Sequence, residues 1–476
     1  MKRYISIDIL KGFGMFLVIT FHVLTRSLDM EIIDSTLGDF SFFNLPLYGL
    51  IVILGYISQF DLVYICISAF GNIFSIQTQW DRKISDESTN EERTYAFKTI
   101  MRTQLIRGGF VVLLGYVSEW FFNGLIVDLV FQRPNWATSS ISAFFFAQIL
   151  TIIGLSNIFF SFIHLTLLRE KKKGSIPVVL LSLLIGFLVI TPGIIELIKI
   201  NPIVWNNLEI EWENRTVGMN ILMFFLSPIV RRHTPIFPNF SASALGALIA
   251  YKFTKDGIKK TFLNWLVLGS SILQLVGLCF AYFELRGFSR IQDYNLGAFL
   301  FAYSGTILFI LFFVYFFEVR GSNRIIKYSK FWRRLGIFTL TLWCIQWLVI
   351  LPALLVQVII NWITDTWTKF MDSPLINNGL NIWQFLIALV FIIGFYYGIL
   401  LLWEKIHYIG TFEWQTAQLI SKFHGGAKNR LDMQESLYNV EAFITERVNL
   451  YKWWQLFLVF LMFFGFALIY AFFYLM

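Results

Sequence analysis

RYISIDILKGFGMFLVITFHVL, residues 3–24, is long and apolar enough to cross a bilayer, yet it carries Asp8, Lys11 and His22. Each ionisable group held in the hydrocarbon core costs at least ~2.5 kcal/mol on the insertion scale, so a plain anchor would have none. On an α-helix, His22 falls about 20° from Lys11 and about 40° from Asp8, which gathers the three into one polar stripe. A stripe of this kind belongs on the face turned toward the protein interior, away from lipid.

Composition extends the reading from this segment to the whole chain. Of the 476 residues, 57% are hydrophobic and only 14% charged, and apolar runs of spanning length recur from end to end. The chain reads as an all-α, polytopic transmembrane helical bundle of about 11 spans, with 10–12 compatible with the hydropathy. The spans fall at 5–24, 60–77, 105–126, 141–168, 176–198, 236–254, 261–284, 295–318, 335–360, 382–404 and 455–476. Segments 45–57 and 218–230 are apolar but short, and read as interfacial or re-entrant pieces on the outer side. Residues 1–415 form the main helical domain, 416–454 a cytoplasmic amphipathic segment and 455–476 an additional transmembrane helix. Within the amphipathic segment, EWQTAQLISKF and ESLYNVEAFITERV read as helices lying along the cytoplasmic face, with Gly425-Gly426 as the turn between them.

The net charge of +8 does not indicate nucleic acid, because the basic residues cluster in short loops between membrane segments. Loops 82–98, 169–173, 252–260, 320–334 and 405–452 are rich in Lys and Arg, which predicts that they and the N-terminus are cytoplasmic in a multi-pass membrane protein, most simply one of the cell membrane. Lys2 and Arg3 resemble the start of a signal peptide, but no small-residue cleavage site follows, so the first segment reads as an uncleaved helix. Cys66, Cys279 and Cys344 lie in apolar runs without metal-ligand spacing and read as core residues. Motifs for a phosphate loop, a zinc protease or a lipase nucleophile are absent, and no metal is called for. His164, followed by LTLLREKKK, reads as interfacial.

His22 can act as a base, a nucleophile or a pathway residue, or simply hydrogen-bond to a neighbouring helix. Fourteen residues of helix separate it from Asp8 by about 21 Å, so any partner that orients it comes from elsewhere. Arg102 and Arg107 open the third span, where cations either meet phosphates or snorkel to lipid headgroups.

Arg3, Asp8, Lys11-Gly12 and His22 resemble the opening signature of the membrane acyltransferases that include the heparan-α-glucosaminide N-acetyltransferase catalytic domain and the YeiB-like proteins, with the acyltransferase-3 family as a more distant relative. HTPIFPNFSASALGALIAY, residues 233–251, LGIFTLTLWCIQ, residues 335–346, and YIGTFEW, residues 408–414, resemble three further segments of that family in the same chain order. The likeness covers residues 3–415. Position 11 holds Lys where the family has Arg, which keeps the charge and loses the planar fork, and position 346 holds Gln where the family commonly has His. Loop 25–44 has no histidine either, so His22 is the histidine to which the matched motifs point.

The resemblance implies transfer of an acetyl or other acyl group from cytoplasmic acyl-CoA to a carbohydrate or glycolipid acceptor on the outer side, a glycan modification. His22 and Asp8 would be the catalytic residues, acting apart, with Asp8 holding Lys11 or Arg3. Arg3, Lys11, Arg102 and Arg107 would meet the CoA phosphates, and His233 and Gln346 would face the acceptor. The rival reading is a transporter or carrier in which Asp8, Lys11 and His22 line a solute pathway.

Overall fold

Apolar runs that must satisfy their own backbone in lipid become helices, and in the computed structural model every extended element among the described residues is helical. The described residues are 4–27, 61–118, 120–121, 149–200, 216–230, 236–283, 296–319, 323–349 and 382–423, with isolated positions between 352 and 362 and at 437. The segments read as 45–57, the second amphipathic helix with its Gly-Gly turn and the final span lie outside them. Four helices among the described residues are long and apolar enough to cross a membrane, consistent with a multi-pass helical bundle that contacts lipid.

The helices, in chain order, are α1 (Ile5–Ser27), α2 (Asp61–Lys83), α3 (Asn90–Ser118), α4 (Ile149–Arg169), α5 (Ile176–Ile200), α6 (Val217–Val230) and α7 (Ile236–Asp256). They continue with α8 (Lys260–Phe283), α9 (Leu296–Val314) and its π-helical extension Tyr315–Val319, α10 (Asn323–Tyr328), α11 (Lys330–Ile337), α12 (Thr339–Ile345), α13 (Ile382–Lys405) and α14 (Phe412–Phe423). Helix α1 packs against α2, α9, α11, α12 and α13, so the segment carrying the polar stripe lies inside the bundle.

Small residues set the closest crossings, as membrane interfaces without a hydrophobic driving force require. A Cβ on Gly12 would lie 1.8 Å from the Trp332 carbonyl oxygen, and one on Gly336 would lie 1.8 Å from the Asp8 carbonyl oxygen. Helices α1 and α11 therefore touch backbone to backbone. The same device joins α7 to α2, where a Cβ on Gly246 would lie 2.0 Å from the Cys66 carbonyl oxygen. Gly108 and Gly154 bring α3 and α4 together less tightly, with a Cβ on Gly154 2.6 Å from the Gly108 carbonyl oxygen. Cys66 and Cys344 are buried, as core residues should be, whereas Cys279 is exposed on α8.

The charged ends of the helices share one end of the bundle. Lys173 Nζ meets Asp86 Oδ1 at 3.0 Å, tying loop 169–173 to loop 82–98, and this contact holds the Asp86 carboxyl below the usual carboxylate range. Tyr251 donates to the Lys173 carbonyl at 2.7 Å, and Tyr4 donates to the Phe253 carbonyl at 3.4 Å, which adds the end of α7 and the start of α1. Arg334 pairs with Glu404 at 2.6 Å and joins the last turn of α11 to the end of α13. At the opposite end, Tyr116 stacks on Phe224 with ring centroids 4.5 Å apart, so the short helix α6 caps the far end of α3. The loops that the sequence assigns to one side thus meet one another.

Two segments depart from the sequence reading. The run 335–360 is not one straight span: its first part breaks at Phe338 into α11 and α12, followed by a 3-10 turn at Gln346–Val349. Helix α3 begins at Asn90, inside the stretch read as the basic loop 82–98, so Arg102 and Arg107 lie well along it instead of opening it. EWQTAQLISKF is helical, as read, and packs against α3 and α12. Local caps explain the ends. Thr89 and Glu92 close a reciprocal capping box at the start of α3, and Thr411 Oγ1 accepts the Trp414 N–H at the start of α14.

Gly12→Ala and Gly336→Ala are each expected to lower the unfolding free energy by about 1–3 kcal/mol, since the added methyl meets backbone and the helices must separate. Gly109→Ala is the control, because nothing lies within 4 Å of its Cβ. Thermal unfolding in detergent checks this: equal midpoints for all three variants would show that the α1–α11 contact is not close-packed.

Candidate functional site

The first turn of α1 has N–H groups with no partner inside the helix. Ser6 N donates to Glu318 Oε1 at 2.8 Å, so a carboxylate from the π-helical end of α9 supplies one. Glu318 is 1% exposed, and its Oε2 has no hydrogen-bond partner among the described residues. A carboxylate at a helix N-terminus also sits favourably on the helix dipole. π-helical turns recur at functional sites, because the extra residue redirects a side chain.

Asp8 is buried in the same first turn. Its backbone carbonyl is the one that Gly336 approaches, so the Asp-x-x-Lys-Gly sequence and the Leu-Gly sequence of α11 form a single crossing. Lys11 is half-buried and extends toward α2, where a Cβ on Gly71 would lie 3.7 Å from its Nζ. Tyr64 of α2 donates to the Lys11 carbonyl at 3.2 Å and stands edge-on to Trp343 of α12, with centroids 5.0 Å apart. The inner part of the polar stripe therefore faces the bundle, between α2, α9 and α11.

YIGTFEW reaches the same place from the far end of the chain. After α13 the backbone turns back through His407 and Tyr408, both with positive φ, and through Gly410 at φ 90°, a conformation that favours glycine. Tyr408 stacks on Phe338 at 3.9 Å. Glu413 Oε1 then accepts the N–H groups of Leu340 and Thr341 at 2.8 and 3.1 Å, and its Oε2 accepts from the Thr341 hydroxyl. Those are orphan donors of the first turn of α12, so the carboxylate compensates the break at Phe338.

Gln346 follows directly, in the 3-10 turn that packs against α1. It is buried, and its Oε1 has no partner among the described residues. Tyr396 of α13 donates to the Ile345 carbonyl at 3.1 Å and braces the turn.

The remaining sequence-derived residues are distributed differently. His22 lies on α1, continuous with Asp8 and Lys11, but its side chain is outside the described set. Arg3 and His233 also lie outside the described residues. Arg102 is exposed and stands 5.7 Å from the Phe423 ring, on the α3–α14 face, and Arg107 is partly exposed one and a half turns along. His164 corrects the interfacial reading: it is fully buried, and its Nε2 lies 2.8 Å from Gln77 Oε1.

Glu318 and Glu413 were not singled out from the sequence. Glu318 is the one acid in span 295–318 and sits at its end, a signal that an intramembrane carboxylate always gives. Among the described residues no group of three or more His, Cys, Asp or Glu could hold a metal ion. No family model matches the chain, and no curated protein or solved structure matches it significantly.

Glu413→Gln is expected to destabilise the fold by about 2 kcal/mol, because a charged acceptor with three donors becomes a neutral amide that can satisfy fewer of them. Thermal unfolding of the variant in detergent measures it, and a midpoint equal to wild type would show that water serves α12 as well as Glu413 does.

Proposed function

We propose that the chain is an integral membrane acyltransferase that moves an acetyl or other acyl group from acyl-CoA at the charged, cytoplasmic end of the bundle to a sugar or glycolipid acceptor at the opposite side. The observation that carries this reading is convergence. Of the four stretches chosen for one family likeness, three adjoin one another, with α1 touching α11 at Gly12 and Gly336 and α14 capping α12 through Glu413, while α7 packs on α2, which in turn packs on α1.

The chemistry follows from the placement of α1. Lys11 toward the charged end offers a cation to the CoA phosphates, with Arg3 eight residues before it and Asp8 one turn away to balance the charge. Arg102 and Arg107 add cations on α3. His22 lies about 21 Å along the same helix from Asp8, toward the outer side. There a neutral imidazole takes the acceptor's O–H or N–H proton as that atom bonds to the thioester carbonyl carbon. The C–S bond breaks, and the CoA thiolate leaves and receives the proton. Gln346, buried beside α1 with a bare amide oxygen, supplies a hydrogen-bond acceptor for a substrate hydroxyl.

Labelled acetyl-CoA incubated with the purified chain and a panel of glycans and glycolipids tests this. His22→Ala is expected to cut transfer by about 10²- to 10⁴-fold, the range of a lost general base. Lys11→Ala is expected to raise the KM for acetyl-CoA with a smaller effect on kcat. Equal transfer by wild type and His22→Ala would remove His22 from the reaction. No transfer to any acceptor would favour a carrier in which Asp8, Lys11 and His22 line a solute path.

A further inference from the structure

One face of α3 changes character partway along the helix. Tyr95, Lys98, Arg102, Leu105, Gly109 and Leu113 fall within about 80° of one another around the axis, and all are exposed. From Leu105 onward the face is apolar: Leu105 is 49% and Leu113 54% exposed, and a Cβ on Gly109 would meet nothing within 4 Å. In a membrane bundle an apolar face left exposed lies against acyl chains. Before Leu105 the same face carries Arg102, Lys98 and, at 71% exposure, Tyr95. Cations and a tyrosine at the end of an apolar stripe mark headgroup depth.

Helix α14 completes this surface. It packs against α3 without burying any of its own residues, and its last turn brings the Phe423 ring 5.7 Å from the Arg102 guanidinium. The ring is half-exposed, and the exposed Lys422 precedes it. Cation–π attraction holds the guanidinium plane and leaves its N–H fork for an acceptor. Elsewhere at the charged end Arg169, Lys173 and Arg334 each meet a carboxylate. Lys98, Arg102 and Lys422 meet none among the described residues. Unneutralised cations gathered on one lipid-facing surface call for an anion from the lipid side. Arg107, about 140° round α3 from Arg102, does not share the face.

We propose that Lys98, Arg102, Lys422 and Phe423 form a site at the α3–α14 face for the headgroup phosphate of an anionic phospholipid. The Arg102 fork grips the phosphate oxygens, with Phe423 holding its plane. Lys98 and Lys422 add charge that favours a lipid of net negative charge over a zwitterionic one. The acyl chains run along Leu105, Gly109 and Leu113, where the missing side chain of Gly109 leaves room. Arg102 then serves lipid and not CoA, whose phosphates keep Lys11, Arg3 and Arg107.

The test is native mass spectrometry of the full chain, delipidated in detergent and titrated with phosphatidylglycerol or phosphatidylcholine of the same chain length. Phosphatidylglycerol is expected to bind about tenfold more tightly. Arg102→Gln, Lys98→Gln and Lys422→Gln should each weaken its binding about fivefold, the effect of one basic residue at an anionic surface. Arg102→Lys should recover only part of the loss, because it restores the charge without the fork. Lys83→Gln, at the exposed end of α2, controls for general charge. If the substituted chains do not fold, wild type decides, since its phosphatidylglycerol binding should fall as salt rises. Equal binding of the two lipids, an Arg102→Gln chain that holds phosphatidylglycerol as wild type does, or an equal loss in Lys83→Gln would overturn the site. Displacement of the lipid by added CoA, with CoA binding lost in Arg102→Gln, would assign these cations to the cofactor and also overturn it. Failure of acyl transfer to every acceptor leaves the lipid measurement unchanged, so the two readings fail separately.

Discussion

The backbone contact between Gly12 and Gly336 is the constraint from which the rest of the arrangement follows. With side chains absent at both positions, α1 and α11 meet at the separation of their peptide groups, and every residue nearby inherits that geometry. Asp8 is drawn under α11, the carboxylate of Glu318 reaches the first turn of α1, and Trp332 packs edge-on to Phe16 at 5.3 Å. In lipid there is no hydrophobic drive to press two helices together, so such closeness comes from dispersion and shape alone. That is why single methyl groups matter here more than whole side chains do on the lipid-facing surface.

Polar groups in the bundle are placed with the same economy. Glu318 and Glu413 each sit at the start of a helix, where N–H groups would otherwise be unpaired in a medium that offers no water. Asn72, Asn157, Ser161 and Gln77 hold α2 against α4 in the manner of interhelical hydrogen bonds. The charged ends are gathered into one layer by contacts between loops distant in sequence, Lys173 with Asp86 and Arg334 with Glu404 among them.

Much of this was legible from hydropathy and charge. Most helices from 5–27 to 382–405 fall where the apolar runs lie, although α3 starts at Asn90 within the stretch read as loop 82–98, and basic stretches meet through Lys173 with Asp86 and Arg334 with Glu404. The buried Asp8 and half-buried Lys11 confirm the inward-facing part of the polar stripe. What the sequence concealed was tertiary in origin. Leu335 to Gln346 is uniformly apolar apart from its threonines, and nothing local marks a break at Phe338; the carboxylate that permits it arrives 73 residues later. His164 looked interfacial because REKKK follows it, yet four residues of helix are enough to bury it against Gln77. Glu318 stood at the edge of a hydrophobic run, and only packing against α1 shows that the edge is an interior.

The dependence of α12 on Glu413 also orders events during biosynthesis. At about 5–20 residues per second, Leu340 is added to the chain about 4–15 s before Glu413. The carboxylate contact that supports the break at Phe338 can therefore form only after α13 and the Gly410 turn have been made, so α12 is completed by a part of the chain synthesised well after it.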